Sequence, residues 1–285
     1  MTSPRWAQSV PGKGRWYTLP TGEQYPSVTN VLDVAVSKPA LVGWSAKATA
    51  AKAFELLPSM VSSSRKASCA AKRVADRCGV CRTCVEAAIK AAHIDAKDAA
   101  ADLGTRVHDL AEAHVLGRPV AHDPEAEPYV AQLLRFWVDF GVDPAADYEA
   151  TEMTVVNRTA GYAGTLDALV WLEIAGVRTL TLLDYKSSAT RAVESVYPEN
   201  GMQVAALAHA ETALLDDGTE VAIPGPIEAA AILNLRTDGY ALVPMPVAGT
   251  LTDAFAAFRG ALATASYLHF CYGAKPTLTV PRKEA

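Results

Sequence analysis

The chain has 285 residues, of which 50% are apolar and 20% charged, enough apolar material for a sizeable core. No run of about 18 uninterrupted apolar residues occurs, and the N-terminus lacks the basic and then apolar sequence pattern of a signal peptide. We therefore expect a cytoplasmic protein without a membrane span. The net charge is −5, but residues 1–108 carry +7 and residues 109–285 carry −12, which leaves a nucleic-acid partner open. Ordinary solvated helix faces are the alternative explanation of that asymmetry.

The first elements in chain order are a short hairpin and a long helix. Residues 12–27 contain a Pro-Thr-Gly turn and close on a proline and a helix N-cap, which predicts a hairpin. An alanine-rich helix is predicted over about residues 38–57. Trp44 lies at helical spacing with Leu41 and Ala48, and this spacing favours a core position for its ring.

Four of the five cysteines follow a C-x8-C-x2-C-x2-C pattern. In a cytoplasmic protein this clustering predicts a metal site rather than disulfides, within a helical insertion over residues 58–100. Zinc and a [4Fe–4S] cluster both stay open, because C-x2-C-x2-C is also the spacing of bacterial ferredoxins. His93 is an alternative fourth ligand, and Cys271 is expected to be a small buried apolar residue. The four candidate ligands are Cys69, Cys78, Cys81 and Cys84.

Two helices are predicted in the middle of the chain. Between residues 85 and 116 the apolar spacing is helical, with an interruption at Gly104-Thr105. His108 and Glu112, four residues apart, share one face of this helix. An amphipathic helix with an aromatic stripe is predicted over residues 129–140.

The central feature of the sequence is a predicted hairpin that carries two aspartates and a lysine. Its strands flank a turn at Ala175-Gly176, and a further strand precedes them, opened by Glu152 as an additional acidic candidate. Because strand side chains alternate, Asp184 and Lys186 leave the same face, and Asp167 lies beside Asp184 if the hairpin is in register. A divalent cation is the natural partner for such buried charges, and an ordinary Asp–Lys ion pair is the alternative.

The remaining elements complete the sheet and close the domain. A helix over residues 199–215 is predicted to present Gln203, and a strand pair over residues 226–247 adds to the sheet. A final helix is predicted over residues 249–271, and the tail 275–285 is expected to fray.

Together these motifs resemble the PD-(D/E)XK nuclease superfamily, and in particular its RecB-type branch of CRISPR-associated and phage-encoded exonucleases. Three motifs occur in the family's order: G-T-x-x-H ending at His108, G-x-x-G-T-L-D ending at Asp167 and D-Y-K-S beginning at Asp184. Gln203 on the next helix is the fourth element, and the resemblance covers roughly residues 24–210. Two details differ. The family's Q-x-x-x-Y helix has a leucine in place of its tyrosine here, and the cysteines of the CRISPR-associated relatives bracket the core rather than precede it.

The resemblance implies an α/β fold of the PD-(D/E)XK (restriction-endonuclease-like) type, with a mixed sheet flanked by helices. An N-terminal helical region would carry the cysteine-rich insertion. The whole of residues 1–285 would form a single nuclease domain, with its catalytic sheet and helix over residues 150–236.

The implied activity is that of a Mg²⁺- or Mn²⁺-dependent DNA exonuclease in phage or bacterial recombination or replication. Its partners would be DNA, single-stranded or with a free end, and a protein of that machinery. Lys186 would orient or deprotonate the attacking water, and Gln203 would position the water or a phosphate oxygen. Two other classes stay open: a non-catalytic DNA-binding module on this fold and an unrelated α/β protein with a zinc-knuckle interaction role. The implied metal ligands are His108, Asp167, Asp184 and the main-chain carbonyl of Tyr185.

Overall fold

The computed structural model of the chain describes residues 6–63, 68–69 and 78–273. The side chain of Cys271 and the tail 275–285 lie outside the described part, so the predictions for them stay untested. The described residues form eight helices and ten strands. The helices are α1 (Val28–Ala35), α2 (Pro39–Glu55), α3 (Leu57–Ser63), α4 (Arg82–Val115), α5 (Glu127–Phe140), α6 (Pro144–Asp147), α7 (Pro198–Ala208) and α8 (Leu251–Gly273). The strands are β1 (Ala7–Val10), β2 (Gly14–Thr18), β3 (Gln24–Pro26), β4 (Tyr148–Asn157), β5 (Tyr162–Ile174), β6 (Val177–Ser187), β7 (Thr212–Leu214), β8 (Glu220–Ala222), β9 (Ala229–Leu235) and β10 (Tyr240–Met245).

The chain divides into two compact units. One unit comprises Met1–Val36 together with Thr105–Ala285, and it contains both sheets. The other, Ser37–Gly104, contains α2, α3 and the first part of α4. The insertion predicted over residues 58–100 falls within this second unit.

A mixed sheet of seven strands, in the order β10-β9-β6-β5-β4-β7-β8, forms the centre of the first unit. All neighbours are antiparallel except β6 and β9, which are parallel. The predicted hairpin of β5 and β6 is confirmed. Its turn residues Ala175 and Gly176 have φ angles of 52° and 79°, as a tight two-residue hairpin requires. The predicted pair of β9 and β10 is confirmed as well, and the architecture is α/β.

Helices α1, α7 and α8 pack together over a core of buried apolar side chains from the sheet. Leu180 and Leu182 of β6 belong to this core, as do Leu207 of α7 and Phe258 of α8. Burying one such side chain contributes roughly 1.5–3 kcal/mol, so the core fixes these helices on the sheet. Asp184 comes two residues after Leu182 and therefore leaves the same face of β6.

Three local predictions differ from the structure. Helix α7 ends at Ala208 rather than at residue 215, because the chain turns there to pair β7 with β4. Helix α4 runs uninterrupted through Gly104, since one glycine inside a helix costs only about 1 kcal/mol. Trp44 is 38% exposed, and α2 has no buried residue. Helical spacing predicts a common face for these side chains but not what covers it.

The described helices include two long ones, α4 with 34 residues and α8 with 23. Within the described ranges, none has the combination of length and apolar character that a membrane span needs.

Candidate functional site

The C-terminal end of β6 places a buried carboxylate beside an amine. Asp184 is 1% exposed, and the Nζ of Lys186 lies 2.5 Å from its Oδ2. Gln203 of α7 donates a hydrogen bond from Nε2 to Asp184 Oδ1 at 2.7 Å. Within the described ranges, Asp184 Oδ2 accepts no hydrogen bond of normal geometry, so the ion pair alone accounts for this buried oxygen. Burial raises the pKa of Asp184, and Lys186 opposes that change.

The close approach of α7 to β5 follows from a glycine. A Cβ added to Gly164 would lie 2.5 Å from Leu207 Cδ2. Leu207, which stands where the resembled family has a tyrosine, is buried in the core instead of reaching the site. Because Leu207 packs directly on Gly164, the same helix brings Gln203, one turn earlier, to Asp184.

Asp167 on β5 lies beside the end of β6, as predicted. The hairpin pairs Ala168 with Leu183, so the next position in this register sets Asp167 opposite Asp184. Asp167 Oδ2 accepts a hydrogen bond from the Tyr185 N–H at 2.7 Å. Burial raises the pKa of Asp167; His108 opposes this change and Glu152 adds to it.

His108 reaches the same place from helix α4. Its Nδ1 lies 3.2 Å from Glu152 Oε1 and 3.7 Å from Asp167 Oδ1, and its Nε2 lies 3.2 Å from the Tyr185 carbonyl oxygen. The ligand atoms of His108, Glu152 and Asp167 all lie within 4.8 Å of one another. The structure therefore brings His108, Asp167 and the Tyr185 carbonyl oxygen together with Glu152. Asp184 is not in this group, and its two oxygens face Gln203 and Lys186.

Glu152 occupies a left-handed backbone conformation inside a strand, with φ at 47°. Its neighbours Thr151 and Met153 pair with Ala168 and Leu166, so Glu152 lies across from Asp167 without a ladder partner of its own. A residue with a Cβ in this conformation costs about 1–3 kcal/mol and persists only where the surroundings hold it. The sequence analysis offered Glu152 as an additional acidic candidate but could not predict its backbone conformation, because glutamate has no preference for positive φ.

The charges of the site are nearly balanced without an ion. Burial would lower the pKa of His108, but the carboxylates of Asp167 and Glu152 outweigh it and raise that pKa to about 9. Burial likewise opposes protonation of Lys186, and Asp184 and Asp167 outweigh it, so the pKa of Lys186 is raised. Three acidic side chains thus lie beside two bases and favour the protonated form of each base. Carboxylate and carbonyl oxygens with one imidazole form a ligand set that suits Mg²⁺ or Mn²⁺.

The four clustered cysteines form a second potential metal site, in the other unit. Cys69 Sγ lies 3.3 Å from Cys84 Sγ and 3.6 Å from Cys81 Sγ, and Cys78 Sγ lies 3.8 Å from Cys84 Sγ. Hydrogen bonds from the main-chain N–H groups of Cys69 and Cys84 lower the pKa of Cys81 to about 6, which favours the thiolate that binds metals. Cys69 belongs to the cluster; His93, the alternative ligand, is not among the described residues whose ligand atoms meet there. This cluster could hold a structural metal.

No protein-family model matches this chain, and no curated protein sequence matches it either. The assignment of a function therefore depends on the residues themselves and on their geometry.

Proposed function

We propose that this protein is a metal-dependent nuclease with the PD-(D/E)XK fold, and specifically a DNA exonuclease. The observation that supports it most directly is the convergence of Asp167, Asp184 and Lys186 on paired strands. His108 from α4 and Gln203 from α7 reach the same strand ends. A structural ion pair would need only Asp184 and Lys186. Binding of a cation would account for the additional carboxylates and the imidazole.

A bound Mg²⁺ or Mn²⁺ would supply activation of a water molecule and stabilisation of the charge that develops on the phosphate and the leaving oxygen. His108, Glu152, Asp167, Asp184 and the Tyr185 carbonyl would hold it. Gln203 fixes Asp184 through Oδ1 and leaves Oδ2 to face Lys186. Since the pKa of Lys186 is raised, its ammonium would orient the attacking water and offset phosphate charge rather than accept a proton.

Cleavage assays on defined DNA test this proposal. Protein dialysed free of Mg²⁺ and Mn²⁺ and then supplied with either ion is expected to degrade linear single- or double-stranded DNA to short products and to spare covalently closed circles. Binding of DNA without cleavage under either metal would favour the non-catalytic module. If the protein neither binds nor cleaves DNA, the zinc-knuckle interaction protein is the class that remains.

The pH dependence of metal binding provides a second prediction. Below pH 9 the metal-free protein carries a proton on His108, which faces Glu152, Asp167 and Lys186, and an ion must displace that proton. The Mn²⁺ affinity is therefore expected to rise about tenfold per pH unit between pH 6 and 8. Calorimetry in buffers of different ionisation enthalpy should detect about one proton released per ion. In His108→Gln the affinity should be lower and this proton release absent. An affinity of the wild-type protein that does not change with pH would exclude His108 as a ligand.

For the cysteine cluster we propose a single structural zinc ion rather than a [4Fe–4S] cluster. Zinc–sulfur bonds of about 2.3 Å in a tetrahedron place the sulfurs about 3.8 Å apart. The sulfur distances of 3.3, 3.6 and 3.8 Å are close to that value. In a [4Fe–4S] cluster each thiolate binds a different iron, which requires a wider separation than these sulfurs have.

A further inference from the structure

The loop that follows β6 is held by two side chains, Asn234 of β9 and Arg236 directly after that strand. Arg236 donates from Nε to the Arg191 carbonyl at 2.9 Å and from Nη2 to the Ala192 carbonyl at 3.2 Å. Asn234 donates from Nδ2 to the Ser195 carbonyl at 3.1 Å. Arg236 also donates from Nη1 to the Lys186 carbonyl at 3.0 Å. Three carbonyl oxygens of the loop are therefore held from the end of β9, and Arg236 links them to the Lys186 carbonyl.

Arg236 brings a positive charge into this region without an acidic partner. It is 5% exposed, and its hydrogen-bond acceptors among the described residues are all main-chain carbonyl oxygens. Burial lowers its pKa, and the nearby charge of Arg191 lowers it further. Glu194, exposed on the same loop, offsets part of this charge. Two arginines therefore lie near each other on this side of the molecule, with Glu194 as the acidic group that faces them.

The side chain of Arg191 contacts an aromatic ring and has no carboxylate partner within the described ranges. Its guanidinium lies 3.7 Å from the centre of the Tyr197 ring, and it forms no ion pair within the described ranges. Arg178, at the other end of β6, provides the contrast. It lies 5.5 Å from the Trp171 ring centre and is ion-paired to Asp147 at 2.8 Å. Both arginines lie within cation–π distance of an aromatic ring, but of the two only Arg178 has an ion-paired carboxylate.

We propose that Arg191, supported by Tyr197, binds a backbone phosphate of the DNA strand that enters the site. This inference rests on the proposed nuclease function and adds a substrate-binding residue to it. A guanidinium offers a planar fork of donors that matches two phosphate oxygens. Stacking on Tyr197 limits the orientations of that fork, which lowers the entropy lost on binding. Arg236 contacts both the Arg191 and the Lys186 carbonyl oxygens, which keeps the backbone of Arg191 near the end of the strand that carries Lys186.

Binding of a fluorescent single-stranded oligonucleotide at several salt concentrations tests the proposal. All proteins carry Asp184→Asn, so that the DNA stays intact, and are compared with and without Arg191→Ala. Loss of one phosphate contact is expected to weaken binding about tenfold and to lower the slope of log Kd against log salt by about 0.7. Arg178→Ala is the matched control, and its slope should equal that of the parent. Arg191→Lys should restore most of the slope, because it keeps the charge.

The outcomes separate this inference from the nuclease proposal. If Arg191→Ala keeps the parental slope, or changes it no more than Arg178→Ala does, the inference is wrong. This holds whether or not the wild-type protein cleaves DNA. If the slope falls but the wild-type protein never cleaves DNA, Arg191 binds phosphate and the nuclease proposal fails. If the parent does not bind DNA, the inference is wrong, and the nuclease proposal fails as well if the wild-type protein neither binds nor cleaves DNA. Arg191→Gln replaces Arg191→Ala if the alanine variant does not fold.

Discussion

Replacing Asp184 with asparagine is expected to reduce DNA cleavage by about a thousandfold or more and to leave the protein folded. Asparagine has the shape of aspartate and can keep the hydrogen bond from Gln203. It cannot neutralise Lys186 or give a cation a charged oxygen. Burial raises the pKa of Asp184, so a neutral amide removes a desolvation penalty, and this gain offsets part of the stability lost with the Lys186 ion pair. Activity and stability should therefore change independently.

The measurement is initial cleavage rate together with the melting temperature of the same preparation. Asp167→Asn should give the same loss, since Asp167 also faces His108 and the end of β6. Asp139→Asn is the control, because Asp139 accepts a surface hydrogen bond from Tyr240 far from these ligands in the sequence. Cleavage near the wild-type rate by Asp184→Asn, in a preparation free of contaminating nuclease, would refute the assignment of the site.

Replacing Cys81 with serine is expected to reduce bound zinc from about one equivalent to none and to destabilise the unit Ser37–Gly104. Cys81 Sγ lies 3.6 Å from Cys69 Sγ and also accepts the Cys69 N–H, so its loss removes a ligand and a contact with the main chain of Cys69. Helix α2 in this unit has no buried residue, so apolar packing there is limited. A zinc ion present at a thousandfold over its Kd contributes about 4 kcal/mol to stability. The variant should therefore be cut by proteases first within residues 37–104.

Metal analysis and an absorption spectrum measure the ion directly. The wild-type protein should contain one zinc and be colourless, whereas a brown protein that absorbs near about 400 nm would show an iron–sulfur cluster and overturn the zinc proposal. Cys271→Ser serves as the control, because Cys271 is far along the sequence from the cluster, and it should retain the zinc. Cleavage by whatever Cys81→Ser protein stays folded should persist, since thiolates are poor ligands for Mg²⁺.

Local periodicity was sufficient to predict the centre of the fold. Alternation along β6 sets Asp184 and Lys186 on one face, and the turn at Ala175-Gly176 fixes the register that brings Asp167 to them. The family resemblance contributed His108 and Gln203, which lie on helices far along the chain from one another. Their arrival at one place depends on packing that periodicity does not encode.

Features that depend on distant pairing could not be predicted from the sequence. The contact of Arg236 with the Lys186 carbonyl requires the parallel pairing of β6 with β9, which are separated by more than a helix in sequence. The end of α7 at Ala208 is set by the pairing of β7 with β4, whereas the local apolar spacing would continue the helix. Positive φ at Glu152 has no signal in its residue type.

The backbone of Glu152 has an evolutionary consequence. Glycine at this position would relieve a conformation that costs about 1–3 kcal/mol, but it would remove the carboxylate beside His108. Selection for stability alone therefore favours glycine or asparagine, and only selection for the carboxylate retains glutamate. In descendants of this protein that no longer need the site, position 152 should drift towards glycine early. Asp167, whose side chain accepts the Tyr185 N–H inside the sheet, should change later.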